Sequence, residues 1–482
     1  MSLDTLETFP AGSERIGLVA LTRASLVYAL GGLAYKGVAL VTIPLLARLL
    51  SPAALGLLDL AALLASLVGL IAVLGTDQAV AFHEPRSDAV GALWGSALAI
   101  VTVVGVAVAA TTVLLQVPLA AALTGDGANG PIIAAAGVYG AVVGLTVTGL
   151  NAVRLRGSPI AYAIASFVLV TVEMGIALAI AWLGLGAVAL LVLGWAAGGT
   201  LVLVAVLVRF LPRLRLPRLV LVRGLAGYGA PLVPAAVVWL AGDAWIRGML
   251  ARGVDLAALG EYGIAYRVAS VLGLVVTGFG VAWYPYLYRS PASEVVARAS
   301  QALEFLILVL AALGVAVTAL APEIIAIIAG PQYAEARHAV APLTGGMVAL
   351  GASVLLGAVI GASGSTRRVA LAAGVGAIVQ IVGSFPLVPA FGLVGAALAS
   401  MAGYASAALL LGVIEMRVLA GRSMVTMVGI VALAVAGLAG ASALSGSALV
   451  IRLVMVVAFA LLMAFIAMKI NLGREWTGRR PI

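Results

Sequence analysis

The chain has no cysteine and only two histidines among its 482 residues. Disulfides, thiolate metal sites and thiol catalysis are excluded on that ground. His83 and His338 fall in or near loops, far apart in sequence, and give no metal-ligand spacing. Charge is also scarce: Asp, Glu, Lys and Arg make up 9% of the chain, where a soluble domain carries about 25%. Lysine occurs only as Lys36 and Lys469. The turn at Gly361-Ala-Ser-Gly-Ser-Thr366 runs into Arg367 and Arg368 and lacks the Gly-Lys-Ser/Thr of a phosphate loop, so ATP hydrolysis has no support. Long polar connectors are missing as well; the largest loop is about a dozen residues near 124–131. Without a catalytic loop or clustered carboxylates, a membrane polymerase or glycosyltransferase is disfavoured, and the chain is expected not to be an enzyme.

What fills the sequence instead is apolar. The hydrophobic fraction is 64% and the mean hydropathy +1.23. These values define an all-α polytopic membrane protein, because a membrane span needs about 20 mostly apolar residues with every backbone polar group satisfied within the helix. Spans are expected near 20–46, 54–75, 90–115, 131–151, 160–183, 186–208, 225–250, 262–286, 299–320, 339–362, 369–389, 393–415, 424–443 and 449–469, about 14 transmembrane helices in all. Residues 1–12 carry Asp4 and Glu7 but no basic residue, which reads as a cytoplasmic tail rather than a signal peptide. With both termini cytoplasmic, roughly 19 cations fall in inside segments; outside are only Arg48, Arg252, Arg337 and Arg452. That asymmetry places the protein in the cell (cytoplasmic or inner) membrane. It also explains a pI of about 10.1 without nucleic acid.

The chain repeats itself. Residues 46–70 and 250–274 align without a gap at an offset of 204, with about 12 identities where chance gives roughly 3. Leu46-Ala47-Arg48 returns as Leu250-Ala251-Arg252, and Ala53-Ala54-Leu55-Gly56 as Ala257-Ala258-Leu259-Gly260. Six spans separate the copies, so both have the same orientation, as in transporters built from parallel repeats around a central path. The connector 210–218 holds Pro212 and Pro217 between arginines. The expected division is an N-terminal six-helix bundle (1–210), a cytoplasmic linker (211–222), a C-terminal six-helix bundle (223–416), and two further helices with a tail (417–482).

Several segments, in order along the chain, carry a resemblance. They are Tyr35-Lys36-Gly37, Ile43-Pro44 through Arg48-Leu-Leu-Ser51-Pro52, Gly56-Leu-Leu-Asp59, Pro231-Leu-Val-Pro234, Gly260-Glu-Tyr262-Gly-Ile-Ala265-Tyr266-Arg267, Trp283-Tyr-Pro285, Gly364-Ser-Thr-Arg367 and Val388-Pro389-Ala-Phe391-Gly392. Together they resemble prokaryotic polysaccharide-lipid flippases of the multidrug/oligosaccharidyl-lipid/polysaccharide (MOP) exporter superfamily. Gln380 and Ser384 depart from the Asn often found before the Leu-x-Pro of span eleven. The resemblance implies two bundles forming a V around a cavity. It also implies alternating-access export of a polyprenyl-pyrophosphate-linked oligosaccharide for O-antigen, capsule or exopolysaccharide assembly, and a monomer is expected. Polymerases and glycosyltransferases are expected partners by family only. A multidrug exporter of the same superfamily and a peptidoglycan-precursor flippase are the alternatives.

Such a substrate has a greasy tail, a diphosphate and a sugar head, so fixed cations within the membrane are the residues to seek. Lys36, mid-way along the first span, either binds the substrate anion or pairs with a carboxylate such as Asp59 on span two. Arg247 lies four residues after Asp243, on one helix face. It forms an intrahelical ion pair there, or contacts phosphate while Asp243 orients it or carries a coupling proton. Arg267 on span eight reaches the same cavity if spans seven and eight are neighbours. Arg48 and Arg252, the repeat-related pair, form a matched rim or anchor to lipid phosphate. Glu173, mid-span on helix five, is either a hydrogen-bonded structural group or a coupling site for H+ or Na+; no other cofactor is expected. Trp239, Trp245 and Trp283 are read as interfacial belt residues.

Overall fold

A computed structural model describes residues 38, 42, 44–84, 87–156, 159–210, 214–230, 233–289, 292–362, 365–415 and 422–476. Lys36 and most of the first expected span lie outside the described residues. Among the described ones there is no strand. Ten helices are long and apolar enough to cross a membrane, or eleven when one bent pair is counted as a single span.

The first half holds α1 (Pro52–Val73), α2 (Thr76–His83), α3 (Val90–Leu114), α4 (Gln116–Thr124), α5 (Gly130–Arg156), α6 (Pro159–Trp182) and α7 (Val188–Phe210). Helix α5 is its centre and packs on α1, α3 and α7, with α6 against α7. Small residues make the close approach possible: a Cβ on Gly140 of α5 would lie 2.7 Å from the Ala65 carbonyl oxygen of α1.

The second half begins with α8 (Leu219–Gly229), α9 (Val233–Gly253), α10 (Leu256–Ala269) and α11 (Val271–Arg289). It continues through α12 (Ala292–Ala319), α13 (Ala321–Ile328), α14 (Arg337–Ala362) and α15 (Thr366–Ile414). Helix α14 packs on α15, α12, α11 and α10, while α9 packs on α15. Helices α16 (Arg422–Ala443) and α17 (Leu449–Trp476) lie against α12.

Two expected spans prove to be broken. The expected helix 225–250 is two elements, α8 ending at Gly229 and α9 beginning at Val233 with Pro234 in its first turn. The span expected from 262 starts six residues earlier, where Asp255 accepts from Ala258 N at 2.6 Å as an N-cap. It then bends by 41° between α10 and α11. Helix α15 contains both spans expected at 369–389 and 393–415, turned at Gly392 (φ 55°, ψ −125°). A Cβ on Gly403 would lie 2.8 Å from the Gly376 oxygen, so the two arms run antiparallel with backbone against backbone.

The linker is part of the fold rather than a loose tether. Residues 214–218 are extended across α3, with Arg215 N donating to Gly91 O at 3.1 Å and Arg218 N to Ser96 Oγ at 3.0 Å. Leu225 of α8 then enters an apolar pocket of Ala79, Val80, Leu93 and Trp94.

The repeat is visible in three dimensions. Ser51 caps α1 by accepting from Ala54 N, as Asp255 caps α10 at Ala258 N, both 204 residues apart. Gly56 and Gly260, themselves repeat mates, face each other where α1 meets α10. A Cβ on Gly56 would stand 2.6 Å from Gly260 N, and one on Gly260 would stand 2.0 Å from Pro52 O. The seam between the halves therefore runs along α1, α9 and α10, with the two glycines at its centre. The sparse cations Arg48, Arg252 and Arg452 gather at the end of the seam that carries Ser51 and Asp255. Arg48 reaches Ile327 O, Arg252 rests on Gly125, and Arg452 reaches Glu323.

Two outcomes follow from this packing. Gly395→Ala places a Cβ 1.8 Å from Leu387 O inside the α15 turn. It is expected to destabilise the purified protein by about 3 kcal/mol or more, the upper end of ordinary overpacking. Gly374→Ala, with open space around it, is expected to leave the melting temperature unchanged or slightly raised. At α13, burial pushes the Glu323 carboxyl up, but hydrogen bonds from Arg452 more than offset this and hold it below its usual range. A depressed carboxyl contributes stability above its ordinary value and loses it as pH falls through the folded value. Hydrogen exchange at the start of α17 should therefore quicken below roughly pH 4, and Arg452→Gln should remove that dependence.

Candidate functional site

The charges that an apolar sequence can least accommodate converge at the seam. Asp59 sits two turns into α1, buried to 14% side-chain exposure. Its Oδ2 accepts from Arg247 Nε at 2.8 Å, and its Oδ1 accepts from Arg267 Nη2 at 2.7 Å. Arg247 comes from α9 and Arg267 from α10, so one carboxylate of the first half clamps two helices of the second. Three of the residues picked from sequence thus meet. The pairing of Asp59 with Lys36 lies outside the described residues.

The expected i,i+4 ion pair between Asp243 and Arg247 is not formed through side chains. Arg247 Nη1 donates to the backbone oxygen of Asp243 at 3.3 Å, and the Asp243 carboxylate turns to α15, where Gln380 Nε2 donates to it at 2.8 Å. The reason is competition: Asp59 offers Arg247 a better-aligned acceptor across the seam. Arg247 also lies over two rings, 5.2 Å from the Tyr262 centroid and 5.3 Å from that of Tyr266. It is 5% exposed and enclosed on all these sides.

Arg267 differs. It is 24% exposed, and its Nη1 is a buried atom with no hydrogen-bond partner among the described residues. Gly263, the repeat mate of Asp59, makes the space: a Cβ there would lie 3.0 Å from Arg267 Nη1 and 3.3 Å from Asp59 Cγ. Of the two arginines, Arg267 is the more exposed.

Residues with no charge to mark them complete the cluster. Tyr262 and Ser400 hydroxyls are 2.7 Å apart, Tyr266 bonds to Tyr404, and Trp245 Nε1 donates to Ser384 Oγ at 3.2 Å. Gln380 and Ser384 left a signal as polar residues in an otherwise apolar run, and Gln380 Oε1 is buried and unpartnered among the described residues. The tyrosines read as ordinary apolar-span aromatics. The belt reading fails for Trp283, which is buried at 5%, while Trp239 and Trp245 are half-buried and pack on the Tyr404 and Phe385 rings.

The remaining candidates lie elsewhere. Glu173 is buried in the first half, accepts a hydrogen bond from Tyr139, and packs against Gly198 and Gly199 of α7. It does not reach the seam. Arg48 and Arg252 are exposed at the seam's end. The matched rim is unequal: Arg48 bonds Ile327 O, whereas Arg252 reaches only Met249 Sδ of its own helix.

Two helical halves joined along a charged seam have the fold of MOP superfamily transporters. Residues 21–290 match the family model described as polysaccharide biosynthesis protein, and the chain belongs to that family. No curated protein matches in sequence. Among solved structures, the chain is similar to the lipid II flippase MurJ in an inward closed conformation (TM-score 0.70, 11% identity, 91% of this chain and 98% of that one). It is also similar to an inward-facing multidrug resistance MATE family transporter (TM-score 0.62, 16% identity, 80% and 94%). A third likeness is to a MOP superfamily transporter from Pyrococcus furiosus described as having a binding pocket of reverse polarity (TM-score 0.55, 15% identity, 83% and 95%).

Removing Asp59 tests the cluster. Asp59→Ala strands two arginines and is expected to cost roughly 3–5 kcal/mol of stability, as breaking a buried pair does. Arg267→Ala leaves Asp59 with Arg247 and should cost less, roughly 1–3 kcal/mol. Thermal unfolding of the purified variants reads both.

Proposed function

We propose that this protein flips a polyprenyl-diphosphate-linked oligosaccharide from the cytoplasmic to the outer leaflet of the cell membrane, for assembly of a surface polysaccharide. The observation that carries this reading is Arg267: a guanidinium at the seam, partly open, with one buried N–H unpartnered among the described residues and its carboxylate shared. An entering diphosphate offers more charge than half of Asp59 and accepts from the same fork. Family membership and the likeness to a flippase support the assignment.

In this reading the two bundles (1–210 and 223–416) rock about the seam, both termini face the cytoplasm, and one chain suffices. The sugar and diphosphate pass between the halves while the lipid tail stays in the bilayer. Arg247 anchors Asp59, Lys36 adds a second cation to the path, and Asp243 or Glu173 takes a coupling H+ or Na+. Polysaccharide polymerases or glycosyltransferases act before and after it.

The multidrug reading is favoured by the MATE likeness alone. It requires a site for cations, and the charged group left with an unpartnered atom at this seam, among the described residues, is a hydrogen-bond donor, Arg267.

A deletion strain tests the proposal. Loss of the gene should leave the polyprenyl-diphosphate-linked saccharide on the cytoplasmic leaflet and abolish the surface polymer. Wild type should restore both, while Arg267→Ala should transport about tenfold slower or worse, the value of one charge-assisted hydrogen bond. Unchanged saccharide and polymer in a strain that becomes drug-sensitive would overturn the flippase reading in favour of drug export.

A further inference from the structure

The 204-residue offset reaches beyond the span ends. Helices α4 and α13 are repeat mates: Pro118 answers Pro322, and Leu123 answers Ile327. Each is a short helix following the third span of its half. In space they are exchanged across the seam. Arg48 of the first half reaches the carboxyl end of α13 in the second, and Arg252 of the second half lies at the carboxyl end of α4 in the first, its Cγ 3.5 Å from a Cβ built on Gly125. A helix end of this kind presents unpaired carbonyls and the negative pole of the dipole, which a guanidinium satisfies.

The two crossings are not equally engaged. Arg48 Nη2 donates to Ile327 O at 2.7 Å. Beside it Gln332 Nε2 donates to Ala47 O at 3.2 Å, and the Tyr333 hydroxyl donates to Leu50 O at 3.4 Å. Three contacts thus tie residues 47–50 to 327–333. On the other side the backbones come close, with Gly248 next to Leu123 O, yet Arg252 donates to nothing in the first half among the described residues. Substitution explains the difference. Gln332 and Tyr333 answer Ala128 and Asn129, which offer no such reach, and Asn129 is turned inward on Thr124.

We infer that Arg48 is a one-sided clasp holding the two halves closed at this end of the seam, while its repeat mate Arg252 carries no closing load. The clasp lies outside the Asp59 cluster, so it acts on the opening of the halves and not on the anion contact. The inference does not rest on the identity of the transported molecule.

The absence of native cysteine makes the test direct. Leu49→Cys and Ala334→Cys, on exposed positions of the two halves, accept spin labels whose separation is read by pulsed electron resonance in lipid nanodiscs. Arg48→Gln should raise the ratio of long to short distances about tenfold, the yield of one charge-assisted bond. Arg48→Lys should fall between, and Arg252→Gln should match the unsubstituted pair. Should Arg48→Gln fail to fold, Gln332→Ala must move the distribution in the same direction. No shift in either, or an equal shift with Arg252→Gln, overturns the clasp.

Discussion

Everything at the centre of this protein depends on one carboxylate serving two arginines across a boundary between halves. Asp59 cannot be left bare inside a membrane, and neither can Arg247. Each is satisfied only while α1, α9 and α10 stand together. That requirement explains Gly56 and Gly260, whose missing side chains let the backbones meet. It also explains Gly263, whose hydrogen stands where a side chain would part Asp59 from Arg267. The ion cluster dictates the distance, and glycine permits it.

The cluster is not part of what the duplicated framework repeats. The identities between the copies fall on caps, turns and packing glycines: Ala54 with Ala258, Gly56 with Gly260, Ala65 with Ala269. The cluster falls where the copies differ. Asp59 answers Gly263, Arg247 answers Ile43, and Arg267 answers Leu63. The framework is two-fold and the chemistry is one-sided. A pseudo-symmetric shell can rock between two similar arrangements, while a single asymmetric charge cluster gives the path one binding place instead of two.

Hydropathy made the spans legible, because each must bury its own backbone hydrogen bonds and the alphabet for that is small. The breaks were not legible in the same way. The 41° bend between α10 and α11 carries no mark of its own, whereas the turn at Gly392 falls in the gap between the spans expected at 369–389 and 393–415. The charged site residues were legible because an intramembrane charge is expensive wherever it lies. Their partners were not. Spacing put Asp243 and Arg247 on one face, and only the position of a third helix decided that Arg247 would turn to Asp59 and Asp243 to Gln380. Tyr262, Tyr266 and Tyr404 were hidden because a tyrosine in a span looks the same whether it faces lipid or an arginine.

The proposed flippase must not be too stable in any one state, and in that reading the composition of the cluster meets the demand. A buried ion pair contributes little net stability over a well-packed apolar seam, because desolvation consumes most of its Coulomb gain. Removing one partner, however, is costly. The result is a contact that is specific without being deep: the seam forms only in the register that satisfies all three charges, yet a ligand able to replace Asp59 on Arg267 meets a small net barrier. Shifting two states from strongly closed to strongly open takes about 5.5 kcal/mol of differential affinity. A diphosphate accepting from an arginine fork and its neighbours is within reach of that figure at about 1.5–3 kcal/mol per charge-assisted bond. An apolar seam of equal area would offer an anionic ligand no such exchange, and a seam closed by Arg247 alone, enclosed by Tyr262 and Tyr266, would offer it no access.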